Sequence, residues 1–355
     1  MSELSDIKAE QQSADIVPDG ASEPEPAQAV AAPAPAPRIR RLNIIGRRNL
    51  FFALSLIIII PGIVSMATRH FALGIDFAGG TELTVNFANN PSLAQVQSAV
   101  DAENINGSVI QTGGGGYIIR YPPLSPAQVT GVQSDLQGRL GPTSVQQILV
   151  VGGTIAGETI ALSVLAVVLA SVAILLLLAV RFRNVPGGWR AGFQFGGSAL
   201  AALLHDVFIL TGIFSILGKV FDLRIGEIDA FFVTAVLTVV GFSVHDTIVV
   251  FDRIRENLRV SQRLSFDQVV NLSIMQTAAR SIITSFTVVL VLAAILIAGG
   301  TTLQGLALAL MIGIVSGTYS SIFNASTLLV AWEKVRGRPT VRPTGGPRRV
   351  QPRAA

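Results

Sequence analysis

Six long apolar stretches, nearly free of charge, dominate this chain: residues 49–66, 160–180, 193–217, 230–251, 281–298 and a segment within 303–332. A helix rising about 1.5 Å per residue needs roughly 20 residues to cross the hydrocarbon core of a bilayer, so each stretch has the length of a span. Half of the 355 residues are hydrophobic and 14% are charged, the balance of a polytopic membrane protein. The expected fold class is therefore a polytopic α-helical membrane protein with six transmembrane helices.

A net charge of +4 does not point to nucleic acid, because the basic residues flank the spans. Five Lys or Arg fall in 38–48, three in 181–190, five in 253–280 and seven after Trp332, against three between the first two spans and two between the third and fourth. The positive-inside rule then puts both termini in the cytoplasm, and an even number of spans agrees. Residues 1–38 form an acidic, Ala-Pro-rich tail with little apolar surface to bury, expected to be disordered. It is too long and too acidic for a cleaved signal peptide, so the first span, within 39–68, reads as a retained helix behind a basic flank. The basic tail 333–355 is likewise expected to be disordered, against anionic headgroups of the bilayer. No cysteine is present, which excludes disulfides, thiol nucleophiles and Cys-ligated metals.

Residues 69–156 are expected to form an extracytoplasmic domain, and 157–332 the bundle of spans two to six. In 81–87 the apolar residues Leu83, Val85 and Phe87 alternate with polar ones, the period of a strand with one buried face. A helix over 91–103, strands over 108–112 and 117–121, a helix capped by Ser125 and a strand over 145–151 complete a βαββαβ order. That order predicts a ferredoxin-like α+β domain.

Three polar features interrupt the spans. His245-Asp246 lies six residues, about 9 Å, from the charged end of span four at Asp252. His205-Asp206 is deeper in span three, and Arg280 precedes Thr284 and Ser285 at the start of span five. A carboxylate ionised in hydrocarbon costs on the order of 3 kcal/mol even on insertion scales, so Asp246 is read as functional by default, and Asp206 as either a functional group or a structural hydrogen-bonding partner of a neighbouring helix. The two histidines rank below them, because adjacent residues point to different sides of a helix. Gly313 and Gly317 mark a close helix packing face in span six. No catalytic residue is expected, and no metal or cofactor: there is no His-Glu-x-x-His, no nucleotide-binding loop, and His70 is the only other histidine.

The run Gly74-Ile-Asp-Phe-Ala-Gly-Gly-Thr-Glu-Leu83 closely resembles the signature after the first helix of the SecD/SecF family of protein-export membrane subunits, in the RND superfamily. Val240-Gly-Phe-Ser-Val-His-Asp-Thr-Ile-Val-Val-Phe-Asp-Arg-Ile-Arg-Glu-Asn257 is similar to the SecF form of its fourth-helix motif, and Ala202–Val207, Arg280–Ser285 and Gly317–Phe323 resemble SecF stretches too. The resemblance implies an RND-like half of six helices that pairs with SecD. It also implies that the pair associates with the SecYEG channel and a small YajC-like subunit in the bacterial cytoplasmic (inner) membrane. The implied activity is not enzymatic: the proton motive force promotes late export of unfolded preproteins, with H+ as the coupling ion. By motif position the proton relay would comprise Asp246, Arg280, Asp206, Thr284, Ser285 and His245, with Arg280 facing Asp246. Gly74, Asp76, Gly79, Gly80, Thr81 and Glu82 carry the family signature. His245 departs from the Asn frequent before the aspartate. The same features also fit a standalone RND-type exporter of lipids or small molecules, or a passive scaffold.

Overall fold

The computed structural model describes residues 43–112, 114–185, 187–260 and 264–335; the expected N-terminal tail and residues 336–355 of the expected C-terminal tail lie outside them. Helix α1 (Arg48–Arg69) leads into a short helix α2 (Ile75–Ala78), and β1 (Gly80–Phe87), α3 (Leu93–Asp101), β2 (Ser108–Gln111), β3 (Tyr117–Tyr121), α4 (Pro126–Leu140) and β4 (Thr143–Val151) follow. The long helices resume with α5 (Gly153–Arg181), α6 (Trp189–Lys219), α7 (Ala230–Val260) and α8 (Phe266–Ala298). The last segment is α9 (Thr301–Tyr319), a π-helical turn (Ser320–Ala325) and α10 (Ser326–Val335). Among the described residues, six helical segments are long and apolar enough to cross a membrane.

The helices outrun the apolar stretches that announce them. α5 begins at Gly153, so Glu158 lies within it and the boundary expected at 156 falls inside a helix. α7 continues past Asp252 to Val260. Backbone hydrogen bonding does not stop where hydropathy does, because a helix that leaves hydrocarbon keeps the same ladder in water.

The sheet is antiparallel, in the order β2-β3-β1-β4. Strand alternation sends Leu83, Val85 and Phe87 into a core with Val96, Val100, Tyr117, Ile119, Val132 and Leu136, covered by α3 and α4. Both helices start at capping boxes, Ser92 with Gln95 and Ser125 with Gln128. The alternate residues Glu82, Thr84, Ile118 and Arg120 face the other way, towards the ends of the long helices. This end of the bundle is called the domain end below, and the other the far end.

Small residues set the helix crossings. Gly62 on α1 and Gly212 on α6 approach so closely that a Cβ on either would meet the other's Cα at 2.8 Å. One turn on, Ser65 and Ser215 hydroxyls bond at 2.8 Å. Gly313 lies against Val239 and Gly317 against Ser243, so the expected face on the sixth segment packs on α7. α5 and α8 instead leave large apolar side chains exposed, among them Leu165, Leu169, Ile283 and Phe286.

The carboxyl oxygens of Glu103, just beyond α3, are shut from solvent. Burial holds this group above the usual carboxylate range; the nearby Tyr121 hydroxyl opposes the shift, Asp135 adds to it and Arg139 opposes it. A raised folded-state pKa favours the neutral form, so the group's contribution to stability is present at acidic pH and lost as pH rises through that pKa. Glu103→Gln is expected to slow amide exchange in α3 and β3 at neutral pH and to match the parent at acidic pH, as measured by hydrogen exchange of the detergent-solubilised chain.

Candidate functional site

Asp206 sits midway along α6 with its side chain 1% exposed. A carboxylate there must find donors within the protein, and four converge on it. Ser243 of α7 and Ser320 of the π-helical turn each donate to Oδ2 at 2.7 Å, Ser316 of α9 donates to Oδ1 at 2.8 Å, and His205 Nδ1 lies 3.0 Å from Oδ1. The network extends through the other imidazole nitrogen: Nε2 is 2.9 Å from Ser55 Oγ on α1 and 3.0 Å from Asn324 Nδ2, which also donates to Ser55 at 2.9 Å. Adjacent residues do point to different sides of a helix, but the His205 ring folds back far enough to meet Asp206.

Asp246 lies three residues beyond Ser243 on α7, about 4.5 Å nearer the far end. It is buried, and Thr318 donates to Oδ2 at 3.4 Å. Thr318 is itself hydrogen-bonded to Ser285 of α8. Ser281, one turn before Ser285, borders the same carboxylate with its hydroxyl buried and without a hydrogen-bond partner. Thr247 and Ser321 bond at 2.8 Å, and Ser321 also donates to the Ser243 carbonyl at 3.0 Å. The segment from Ser316 to Ser321 thus lies between two carboxylates, presenting Ser316 and Ser320 to Asp206 and Thr318 to Asp246.

Of the residues expected in the relay, Asp246, Ser285 and Asp206 fall in this buried layer, whereas His245, Arg280 and Thr284 are exposed; half-buried His205, not among them, joins the layer through Asp206. No ion pair joins Arg280 to Asp246 among the described residues. Within the chain, therefore, the expected facing pair is not formed. The reason is helical phase: Ser281 and Ser285 turn into the bundle, and Arg280 and Thr284, one position earlier on the same turns, fall on the outer face of α8. Thr284 spends its hydroxyl on the Arg280 carbonyl at 2.9 Å.

Sequence reasoning missed Ser55, Ser243, Ser316 and Asn324. Only the four-residue spacing of Ser316, Ser320 and Asn324 on one helix signals a polar stripe.

At the domain end, Gly79 and Gly80 have φ of 72° and 131°, conformations that favour glycine, and a Cβ on Gly80 would strike the Tyr121 carbonyl. Thr81 Oγ1 accepts from Leu124 N at 3.0 Å, and Asp76 Oδ2 accepts from Ala230 N at 3.0 Å, at the start of α7. The signature residues form a joint between sheet and helices. No group of three His, Asp or Glu side chains placed to hold a metal ion occurs among the described residues.

Residues 133–335 match the family described as protein export membrane protein SecD/SecF, C-terminal, and residues 64–90 match the SecD/SecF GG motif. The chain is 44% identical over 306 residues to the protein translocase subunit SecF of Thermobaculum terrenum, covering 82% of this chain and 94% of that one. It is 40% identical over 297 residues to SecF of Anaerolinea thermophila, with the same coverage of each chain. The crystal structure of SecDF from Thermus thermophilus, described as a translocon-associated membrane protein, superposes with a TM-score of 0.72 at 32% identity over 83% of this chain. The chain spans 39% of the length of that SecDF chain.

Replacing Asp206 removes the one acceptor shared by three helices. Asp206→Leu is expected to lower stability by on the order of 2 kcal/mol, and Asp206→Asn, which keeps one acceptor oxygen, by less than half of that. Reversible unfolding in detergent, monitored by Trp189 and Trp332 fluorescence, measures the difference.

Proposed function

The chain belongs to the SecD/SecF family of protein-export membrane proteins, and from that premise we propose that it is the SecF-type subunit of a protein translocase, using the proton motive force to promote late preprotein export. The observation that carries this reading is the match along 94% of the length of relatives named protein translocase subunit SecF. A standalone exporter has no comparable support. SecD supplies the second set of six helices, SecYEG with a YajC-like subunit supplies the channel, and emerging unfolded preprotein is the substrate. The location is the bacterial cytoplasmic membrane, with the far end of the bundle in the cytoplasm, where Arg181, Arg253 and Lys334 lie. The work is mechanical rather than enzymatic and needs no cofactor beyond the coupling proton. The sheet domain is read as ferredoxin-like; its strand order, with α3 and α4 on one face, supports that.

Asp246 is the proton-carrying group in this reading. It is buried, yet among the described residues its one hydrogen bond is long, from Thr318, whose hydroxyl also lies 2.9 Å from the Ile314 carbonyl; it faces Ser281, whose buried hydroxyl is free to donate. Asp206, with four partners at 3.0 Å or less, is held far more firmly and anchors the relay, and His205 extends it towards α1. Neutralising a carboxylate in hydrocarbon removes its need for strong donors, so protonation of Asp246 changes which hydroxyls α8 and α9 direct at it. Arg280 and Thr284 lie on the outer face of α8, where the SecD half supplies the facing groups, and His245 flanks the relay from the exposed side of α7.

Export of a secretory preprotein into membrane vesicles, with and without an imposed proton gradient, tests the assignment. Asp246→Asn is expected to abolish the gradient-dependent part of export while protein level and SecD association persist. Unchanged gradient-dependent export would overturn it.

A further inference from the structure

Away from the buried layer, a dense cluster of charge joins the sheet to the bundle. Arg120 on β3 stands opposite Glu82 on β1. Its Nε donates to Glu82 Oε2 at 2.7 Å, and its two terminal nitrogens each donate at 2.7 Å to a separate carboxylate oxygen of Glu227. Arg224 adds a contact of 3.5 Å to the other Glu82 oxygen. All four side chains are less than a third exposed, so solvent screens these pairs only in part. A forked guanidinium held by two parallel hydrogen bonds fixes orientation as well as distance.

Glu227 belongs to the connection between α6 and α7, three residues before α7 begins. That connection is fastened a second time. Gly74 N donates to the Ile228 carbonyl and Ile228 N to the Ala72 carbonyl, each at 2.8 Å, while Asp76 accepts from Ala230 N. β4 also runs into α5 through Gly152, where Leu149 and Val151 pack with Ile75 and Ala156; across the middle of the sheet a cavity of about 400 Å³ intervenes, lined by Thr84, Gln147 and Leu149 above and by Phe231 and Gln304 below. Force between sheet and helices therefore has few routes, and these polar links join the sheet and its leading segment to the first turn of the helix that carries Asp246.

Resting on the reading above, we propose that Arg120 and Glu227, with Glu82 and Asp76, are positioning residues that couple displacement of α7 to movement of the sheet domain. Glu82 orients Arg120, Arg120 grips Glu227, and Glu227 transmits the position of α7. Removing the grip leaves both bodies folded, the sheet on its own core and the bundle on its buried polar layer, and uncouples them.

The absence of cysteine allows a direct test on the full chain with SecD in membranes. Spin labels at Ser134 on α4 and Val220 after α6, both exposed, report the distance between sheet domain and bundle. The parent is expected to give one narrow distance distribution that shifts when a proton gradient is imposed. Glu227→Gln should broaden it, abolish the shift, and lower gradient-driven export by on the order of fivefold or more. Arg120→Lys, which keeps the charge and loses the fork, should fall between. An unchanged distribution in Glu227→Gln overturns the proposal, and so does a broadened one with gradient-driven export within about twofold of the parent. The label distances do not depend on which group carries the proton, so failure of the Asp246 assignment in the export assay stays distinguishable from failure of this joint.

Discussion

A carboxylate placed in hydrocarbon must be surrounded by donors, and the arrangement of the bundle follows from how Asp206 obtains them. Its partners come from α6 itself, from α7, from α9 and from the π-helical turn. His205 passes the connection to Ser55 on α1 and to Asn324. Four of the six long segments are thereby tied to one point. In water such bonds would exchange with solvent at little cost; here each helix that let go would leave a polar group unpaired.

Close approach makes that geometry reachable, because serine is short. A serine hydroxyl can cross to the next helix only if the backbones nearly touch. Gly317 against Ser243 brings the sixth segment down onto α7 beside the Asp206 donors, and Gly62 against Gly212 does the same for α1 and α6. α5 and α8 carry broad exposed apolar faces, suited to lipid or to another subunit. The same chain thus separates a fixed centre from a periphery.

The spans and the sheet were legible in the sequence because both rest on periodicity: runs of apolar residues for the helices, alternation in Leu83, Val85 and Phe87 for β1. Asp206 and Asp246 were legible because charge inside an apolar run has no neutral explanation. The cage was not. Ser55, Ser243, Ser316, Ser320 and Asn324 lie on three segments up to 269 residues apart, and serine is common and close to neutral in hydropathy, so nothing local distinguishes a donor from a bystander. Arg280 shows the opposite failure, where motif position suggested a partner and helical phase withheld it. A count of inward positions along α8, Ser281 and Ser285 both buried, would have put Arg280 outside.

Ser316, Ser320 and Asn324 recur every four residues, and all three reach the His205-Asp206 pair. In a plain α-helix four residues overshoot a full turn by about 40°, so the third would have swung well off the line of the first. The wide turn at Ser320–Ala325 takes up that overshoot, since a ladder closed between residues five apart winds more slowly. It holds one surplus residue, and its position sets the rotational phase of everything after it. Were that surplus to travel along the segment, each residue it passed would turn by about 100° about the axis while the ends stayed in place. The sixth segment is in that sense a dial as well as a rod, with its setting read by two carboxylates.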